Sequence, residues 1–335
     1  LTTDIVVNKN VLKSDGTLND GTFKEWTPIG TDKYSYTGTV DGKNHTICGL
    51  YFNQKGKAYV GLFGKVGSVG QVSNVSVLDS YIRGQSKVGG MCGDNSGTIT
   101  NCNNTGIVSG DDYIGGVCGQ NSRNITNCNN TGTVSGDDYV GGVCGQNYAT
   151  IIRSNNTGIV SGRSKVGGVC GYIGALATDC NNAGTVSGND YVGGVCGYNK
   201  RDIKNCYYDS VVYTGKAIGV VDEGTVTNVE GKTTEQYKSG EVAYLLQGEQ
   251  EDSVWGETLS EEGGDPYPVL GGKKVYQNIS YDSCVEDENK IVYTYSNEAK
   301  AITALGHDYV VSEEKSEDGT SVTLKCQGSN CDTDT

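Results

Sequence analysis

Apolar and polar positions alternate through the middle of this chain in a pattern that repeats every 26 residues. The segment Val88-Gly89-Gly90-Met91-Cys92-Gly93 returns as Ile114-Gly115-Gly116-Val117-Cys118-Gly119, and again from Val140, Val166 and Val192, with no insertion or deletion. Within the first complete unit the apolar stretches run Val88 to Cys92, Ile99 to Cys102, and Ile107 to Val108. Turn-forming Gly, Asn, Ser and Asp separate them. None of the units keeps apolar residues at helical spacing over ten or more positions, so a helical solenoid is excluded. Short strands joined by tight turns predict one coil per unit. Stacked coils make a parallel β-helix, with neighbouring strands about 4.8 Å apart. The fold class expected is therefore all-β: a right-handed parallel β-helix of about 26 residues per coil, three short strands each, with caps and a small C-terminal β-rich module.

The pattern extends past the perfect copies. Val60-Gly61-Leu62-Phe63-Gly64 reads as an earlier coil with a longer loop, and Ile218-Gly219-Val220-Val221 as a degenerate last one. Gly38 to Gly42 and Thr46 to Leu50 supply at least one more upstream. An open β-helix needs its ends covered. The expected division is a β-helix with N-terminal cap over 1–230, a helix-containing C-terminal cap over 231–276, and a β-rich module over 277–335. In the cap, Thr233 and Gln236 have capping-box spacing, and 234–247 reads as one short helix with Tyr237, Val242, Tyr244, Leu245 and Leu246 on or near its apolar side. The terminal module shows alternating strands at Ile291 to Tyr295 and Ser321 to Lys325 and a charged hairpin tip at Glu313 to Gly319.

Composition sharpens this picture. Val, Ile, Leu and Phe make up only roughly a fifth of the chain, near the level of disordered proteins. A stacked coil needs few apolar residues per turn, so the repeats answer that concern. The 51 Gly and 3 Pro suit many tight turns. The formal charge of −14 disfavours nucleic acid and anionic membranes as partners. No apolar run is long enough to cross a bilayer, so no membrane insertion is expected. The chain begins at Leu1 without a signal peptide, which reads as a mature fragment.

The units resemble the GLUG motif, a bacterial surface repeat built on Gly-Leu-x-Gly. That core stands here as Gly61-Leu62-Phe63-Gly64, then as Gly90-Met91-Cys92-Gly93 and Gly116-Val117-Cys118-Gly119. Asn101 to Gly106 and Val108-Ser109-Gly110 are similar to the motif's flanks. The lead-in from Trp26 to Gly30 and the exit from Ser239 to Leu246, with Tyr267 to Gly272, extend the likeness over residues 1–276. The resemblance implies part of a modular bacterial cell-surface or secreted protein, adhesin-like or from the non-catalytic part of an IgA-specific metallopeptidase, fused to further surface domains. A peptidase helix of His-Glu-x-x-His type cannot form from His45 and His307, the 2 histidines.

Cys92, Cys118, Cys144, Cys170 and Cys196 form one column, and Cys102, Cys128, Cys180 and Cys206 a second. Ser154 occupies the second column in the middle copy, where an obligate disulfide would lose its partner. Reduced interior cysteines acting as small apolar residues are therefore favoured over disulfides; abundant free thiol fits an anaerobic habitat. Cys284, His307, Cys326 and Cys331 could make a zinc set, for which the Cys326 to Cys331 spacing is loose, and a local disulfide is favoured over it. Asn103 and Asn104 head stacked amide columns, read as structural. Asp111-Asp112, Asp137-Asp138 and Asn189-Asp190 form an acidic column, read as solvated charge with calcium as a lesser possibility; Arg163-Ser164-Lys165 interrupts it. No other cofactor is expected.

Tyr113, Tyr139 and Tyr191 form a column read as rim packing. Tyr172 and Tyr198 share a column where other copies carry Asp94, Gln120 and Gln146, and Tyr148, Tyr207 and Tyr208 lie near turns. These five are the candidate ligand-binding residues, for a host or dietary glycan or an extracellular protein. The expected function is a non-catalytic adhesin or display scaffold. One alternative is a pure structural spacer. Another is a polysaccharide-acting β-helix enzyme, which the short equal loops and repeated rather than unique Asp pairs disfavour.

Overall fold

The computed structural model describes residues 1–250, 252–259 and 263–275, and the backbone of four strands between 281 and 326. It divides into two compact units, Leu1–Lys232 and Thr233–Thr335. The first is a parallel β-helix. One coil runs through Asp112–Gly115, Cys118–Asn121, Asn124–Thr126, Asn129–Asn130 and Val134–Ser135. The three apolar stretches of each unit thus break into five short strands. Gly115-Gly116 turns the chain within the first stretch, and the left-handed Asn127, at φ 53°, turns it within the second.

Each strand pairs in parallel with its copies before and after, in strict register. Cys118 lies between Cys92 and Cys144, and Ile125 between Ile99 and Ile151. The Cys92 stack has seven strands, from Phe63–Val66 to Ile218–Val221, so both imperfect copies are true coils. Seven strands span about 30 Å. Upstream, Thr39–Asp41, Thr46–Cys48 and Tyr51–Asn53 pair with the coil above them and complete another turn. Ile5–Val6 adds a last strand to that end, pairing with Ile47 and Cys48, and leaves both its side chains exposed.

The interior is filled one layer per coil. Ile114, Val117, Cys118, Ile125, Cys128 and Val134 of the second perfect copy are all fully buried, as are their equivalents above and below. Burying an aliphatic side chain of this size contributes roughly 1.5–3 kcal/mol. Close approach explains the glycine beside them: a Cβ on Gly116 would stand 2.2 Å from the Gly142 carbonyl and 2.3 Å from Cγ of Asn130. The cysteines of both columns are unpaired thiols, each stacked on its copy. Burial pushes the Cys196 thiol up to about 12. Ser154 keeps the role of the cysteine it replaces: its Oγ donates to Ile152 O at 3.1 Å, as Cys128 Sγ does to Thr126 O at 3.3 Å.

In the second unit the capping box forms as spaced. Thr233 Oγ1 accepts from Gln236 N at 3.3 Å, and Gln236 Oε1 accepts from Thr233 N at 2.9 Å. The expected single helix is two, Thr234–Lys238 and Glu241–Gln247, because Gly240 between them is left-handed at φ 79°. Tyr237, Val242, Ala243 and Leu246 are buried, while Tyr244 and Leu245 are half-buried. Further on, backbone strands Tyr281–Asp287 and Lys290–Tyr295 pair antiparallel, as do Tyr309–Lys315 and Val322–Cys326. The side chains of the expected zinc set, and the 316–319 part of the hairpin tip, lie outside the described residues. No helix among the described residues is long and apolar enough to cross a membrane.

Candidate functional site

Two adjacent strands of each coil build one outer strip. In Asp112–Gly115 the first two residues are partly exposed and the last two buried. The second residue is left-handed in every copy: Tyr59, Lys87, Tyr113, Tyr139, Lys165 and Tyr191 all have φ between 53° and 61°. Non-glycine residues seldom adopt this conformation, and here the coil imposes it at each turn. In Cys118–Asn121 the outward residue is Gln120, whose register partners run through Gln146 and Tyr172 to Tyr198.

Side chains of the two columns meet. Tyr113 stacks on Tyr139 with centroids 4.9 Å apart. Tyr139 meets the edge of Tyr172 at 6.0 Å, and Tyr172 stacks on Tyr198 at 5.9 Å and 13°. Tyr148 joins Tyr172 at 5.8 Å, and Tyr191 joins Tyr198 at 6.0 Å. The result is a continuous six-ring strip rising along the helix. Tyr148 and Tyr191 are its most open members, each 48% exposed. Burial raises the phenol of Tyr172, and that of Tyr113 for the same first reason. Tyr198 is raised chiefly by donating its hydroxyl to Asp222 at 2.9 Å, and the Asp222 carboxyl is lowered by the same bond and by Lys200 at 3.2 Å. Lys165 places its ammonium 4.1 Å from the Tyr139 centroid.

Three sequence-derived candidates, Tyr172, Tyr198 and Tyr148, are therefore together. Tyr207 and Tyr208 are not with them. They are 3% and 7% exposed and continue the Asn181 and Asn182 columns, where Tyr208 donates to Gly215 O at 2.7 Å and packs on Tyr213. A place near a turn does not make them accessible, and both leave the candidate set. Tyr113, Tyr139 and Tyr191, read from sequence as rim packing, belong to the strip. Their pairing with the Tyr172 column depends on the corner between the two strands, which spacing alone does not reveal.

Below the strip the charges are internally paired. Asp94, 5% exposed, lies 2.9 Å from Lys87 and 4.0 Å from Lys65, and Lys65 also reaches Asp32 at 2.8 Å. Nearby, Trp26, Pro28, Phe52 and Tyr59 wall a hollow of about 420 Å³ that the sequence did not signal. The acidic column lies beside the strip, with Asp112 and Asp138 one residue before the left-handed Tyr113 and Tyr139. Burial, then Asp138, raises the Asp112 carboxyl, and Arg163 holds Asp138 at 2.9 Å. A hollow of about 290 Å³ beside this column is lined by Asp111, Asp137, Lys55 and Arg83, so its acids face cations. Among the described residues no cluster of three or more His, Cys, Asp or Glu is placed to hold a metal.

These features define a parallel β-helical repeat protein with one outer face modified by aromatic residues. Residues 110–135 match the model of the family described as the GLUG motif. Halomucin of Haloquadratum walsbyi is 33% identical to it over 112 residues, 33% of this chain. A putative Gly-rich membrane protein of Evansella cellulosilytica is 35% identical over 79 residues, 23% of this chain. The matched stretches cover 1% and 9% of those two proteins, so the chain spans a small part of the curated relatives it matches. No solved structure matches.

Proposed function

We propose that this chain is a non-catalytic segment of a cell-surface protein and that its aromatic strip binds glycan chains. The surface reading is supported by the GLUG repeats and by relatives named as a halomucin and a membrane protein. The glycan reading is carried by one observation, the run of contacting tyrosine rings from Tyr113 to Tyr198 on successive coils. A pyranose presents a face of C–H groups that packs on an aromatic ring, and its hydroxyls suit a flanking group such as the partly exposed Gln120. Tyrosine combines an apolar body with a polar tip, which suits contact with so mixed a surface. A linear polymer laid along the axis would meet rings on successive coils.

The test is a glycan array probed with the full 335-residue chain, with and without calcium. The double variant Tyr172→Ala/Tyr198→Ala is expected to weaken binding at least tenfold, about 1.4 kcal/mol or more, with an unchanged circular dichroism spectrum. A second reading, a spacer that projects neighbouring domains, is favoured by the short, equal loops of the perfect copies. Blank arrays for the unaltered chain would establish that reading over the first.

A further inference from the structure

The strip contains an internal control for charge. Two copies carry the same segment, Ser86-Lys87-Val88-Gly89-Gly90 and Ser164-Lys165-Val166-Gly167-Gly168. Both lysines are left-handed, at φ 53° and 54°, and both lie over a tyrosine one coil below, Lys87 over Tyr59 at 4.8 Å and Lys165 over Tyr139 at 4.1 Å. They differ in what stands seven residues on. Lys87 meets Asp94 at 2.9 Å; at the matching place Lys165 has Tyr172. Arg163, the other cation of that copy, is engaged by Asp138. Among the described residues no carboxylate is in ion-pairing range of Lys165, so its ammonium rests on the Tyr139 ring without a counter-ion.

Resting on the glycan reading above, we infer that Lys165, with Tyr139 and Tyr172, forms an anion subsite and that the strip takes acidic glycans, those bearing a carboxylate along the chain. A ring face attracts the ammonium but does not cancel its charge. A ligand carboxylate would fill the place that Asp94 fills for Lys87. Partial burial among rings keeps solvent screening of such a pair below that of a freely exposed one.

The experiment compares acidic and neutral forms of the same glycans on the full chain: polygalacturonate oligomers against their methyl esters, and sialylated mucin glycans against the desialylated forms. The acidic member of at least one pair is expected to bind about tenfold more tightly, a preference that fades between about 20 mM and about 500 mM salt. Lys165→Gln is expected to abolish that preference, and Lys87→Gln to leave it in place. Equal binding of acidic and neutral forms, or a preference that survives Lys165→Gln, overturns the anion subsite and leaves the glycan reading standing. Binding to neither form removes both. Binding that persists on fully deglycosylated mucin polypeptide overturns both in favour of a protein ligand.

Discussion

A buried asparagine is costly unless every polar atom finds a partner, and at Asn130 repetition meets that condition, although the Oδ1 atoms of Asn127 and Asn129 are buried without one. Asn130 Nδ2 donates to Gly132 O at 3.0 Å and to Asn156 Oδ1 at 2.8 Å, while its own Oδ1 accepts from Asn104 Nδ2 at 2.8 Å. Asn156 continues the ladder to Asn182 at 2.7 Å. A second interior ladder joins Asn95, Asn121 and Asn147, and ends where Ile173 replaces the amide. Outside, the left-handed Asn74, Asn101 and Asn127 form a third. Asn130→Ala breaks two ladder bonds, strands a buried donor on Asn104 and leaves Asn156 Oδ1 with Gly158 N alone, so it should cost about 2–4 kcal/mol. Asn127→Ala, where the amide is half-buried and its Oδ1 already lacks a partner, should cost about 1 kcal/mol. Urea unfolding of the two variants checks the order; equal losses would contradict it. The Asn104 column was legible because its copies never change over four coils. The left-handed state of Asn127 was not, since the sign of φ is imposed by the coil.

Among the elements of the second unit, Glu257 follows the buried strand Trp255–Gly256 and is itself fully buried. Neither carboxylate oxygen has a partner among the described residues. Burial, helped by Asp265, pushes its carboxyl up to about 8 from 4.5. Between these values the unfolded chain has lost a proton that the folded unit retains. Stability of this unit should therefore be fully present below about pH 4.5 as far as Glu257 is concerned, and fall by up to about 1.4 kcal/mol per pH unit towards pH 8. Glu257→Gln should flatten that slope and raise the melting temperature at pH 8. A parallel pH profile in the variant would show that Glu257 is not its source. Nothing in Gly256-Glu257-Thr258 signals this burial. The capping box was legible, because Thr233 and Gln236 satisfy each other locally. The break at Gly240 was passed over, because the apolar residues on either side read as a single helical face.

At the scale of the molecule, a constant period made the coil, its copies and the parallel stacking legible from the sequence. Position within the period carries less information about which columns touch. Tyr139 and Tyr172 lie 33 residues apart, one coil plus the corner, and only the folded corner brings them to 6.0 Å. Tyr207 and Tyr208 show the converse. Counting one period back from them reaches Asn181 and Asn182, and that register, more than nearness to a turn, dictates their burial.

The stacking direction also has a mechanical consequence. Every hydrogen bond between coils, such as Val117 N to Val143 O at 3.0 Å, joins one coil to the next and so points along the stack. Tension applied between Leu1 and Lys232 would load these bonds end-on, a few at a time, in contrast to the collective shear of strands pulled along their length. Single-molecule pulling should then show low-force peeling in equal steps, each releasing one 26-residue coil, about 9 nm of chain. A single high-force rupture of the whole β-helix would contradict it. A stack built this way yields to traction coil by coil, so a load applied between its ends is let down gradually.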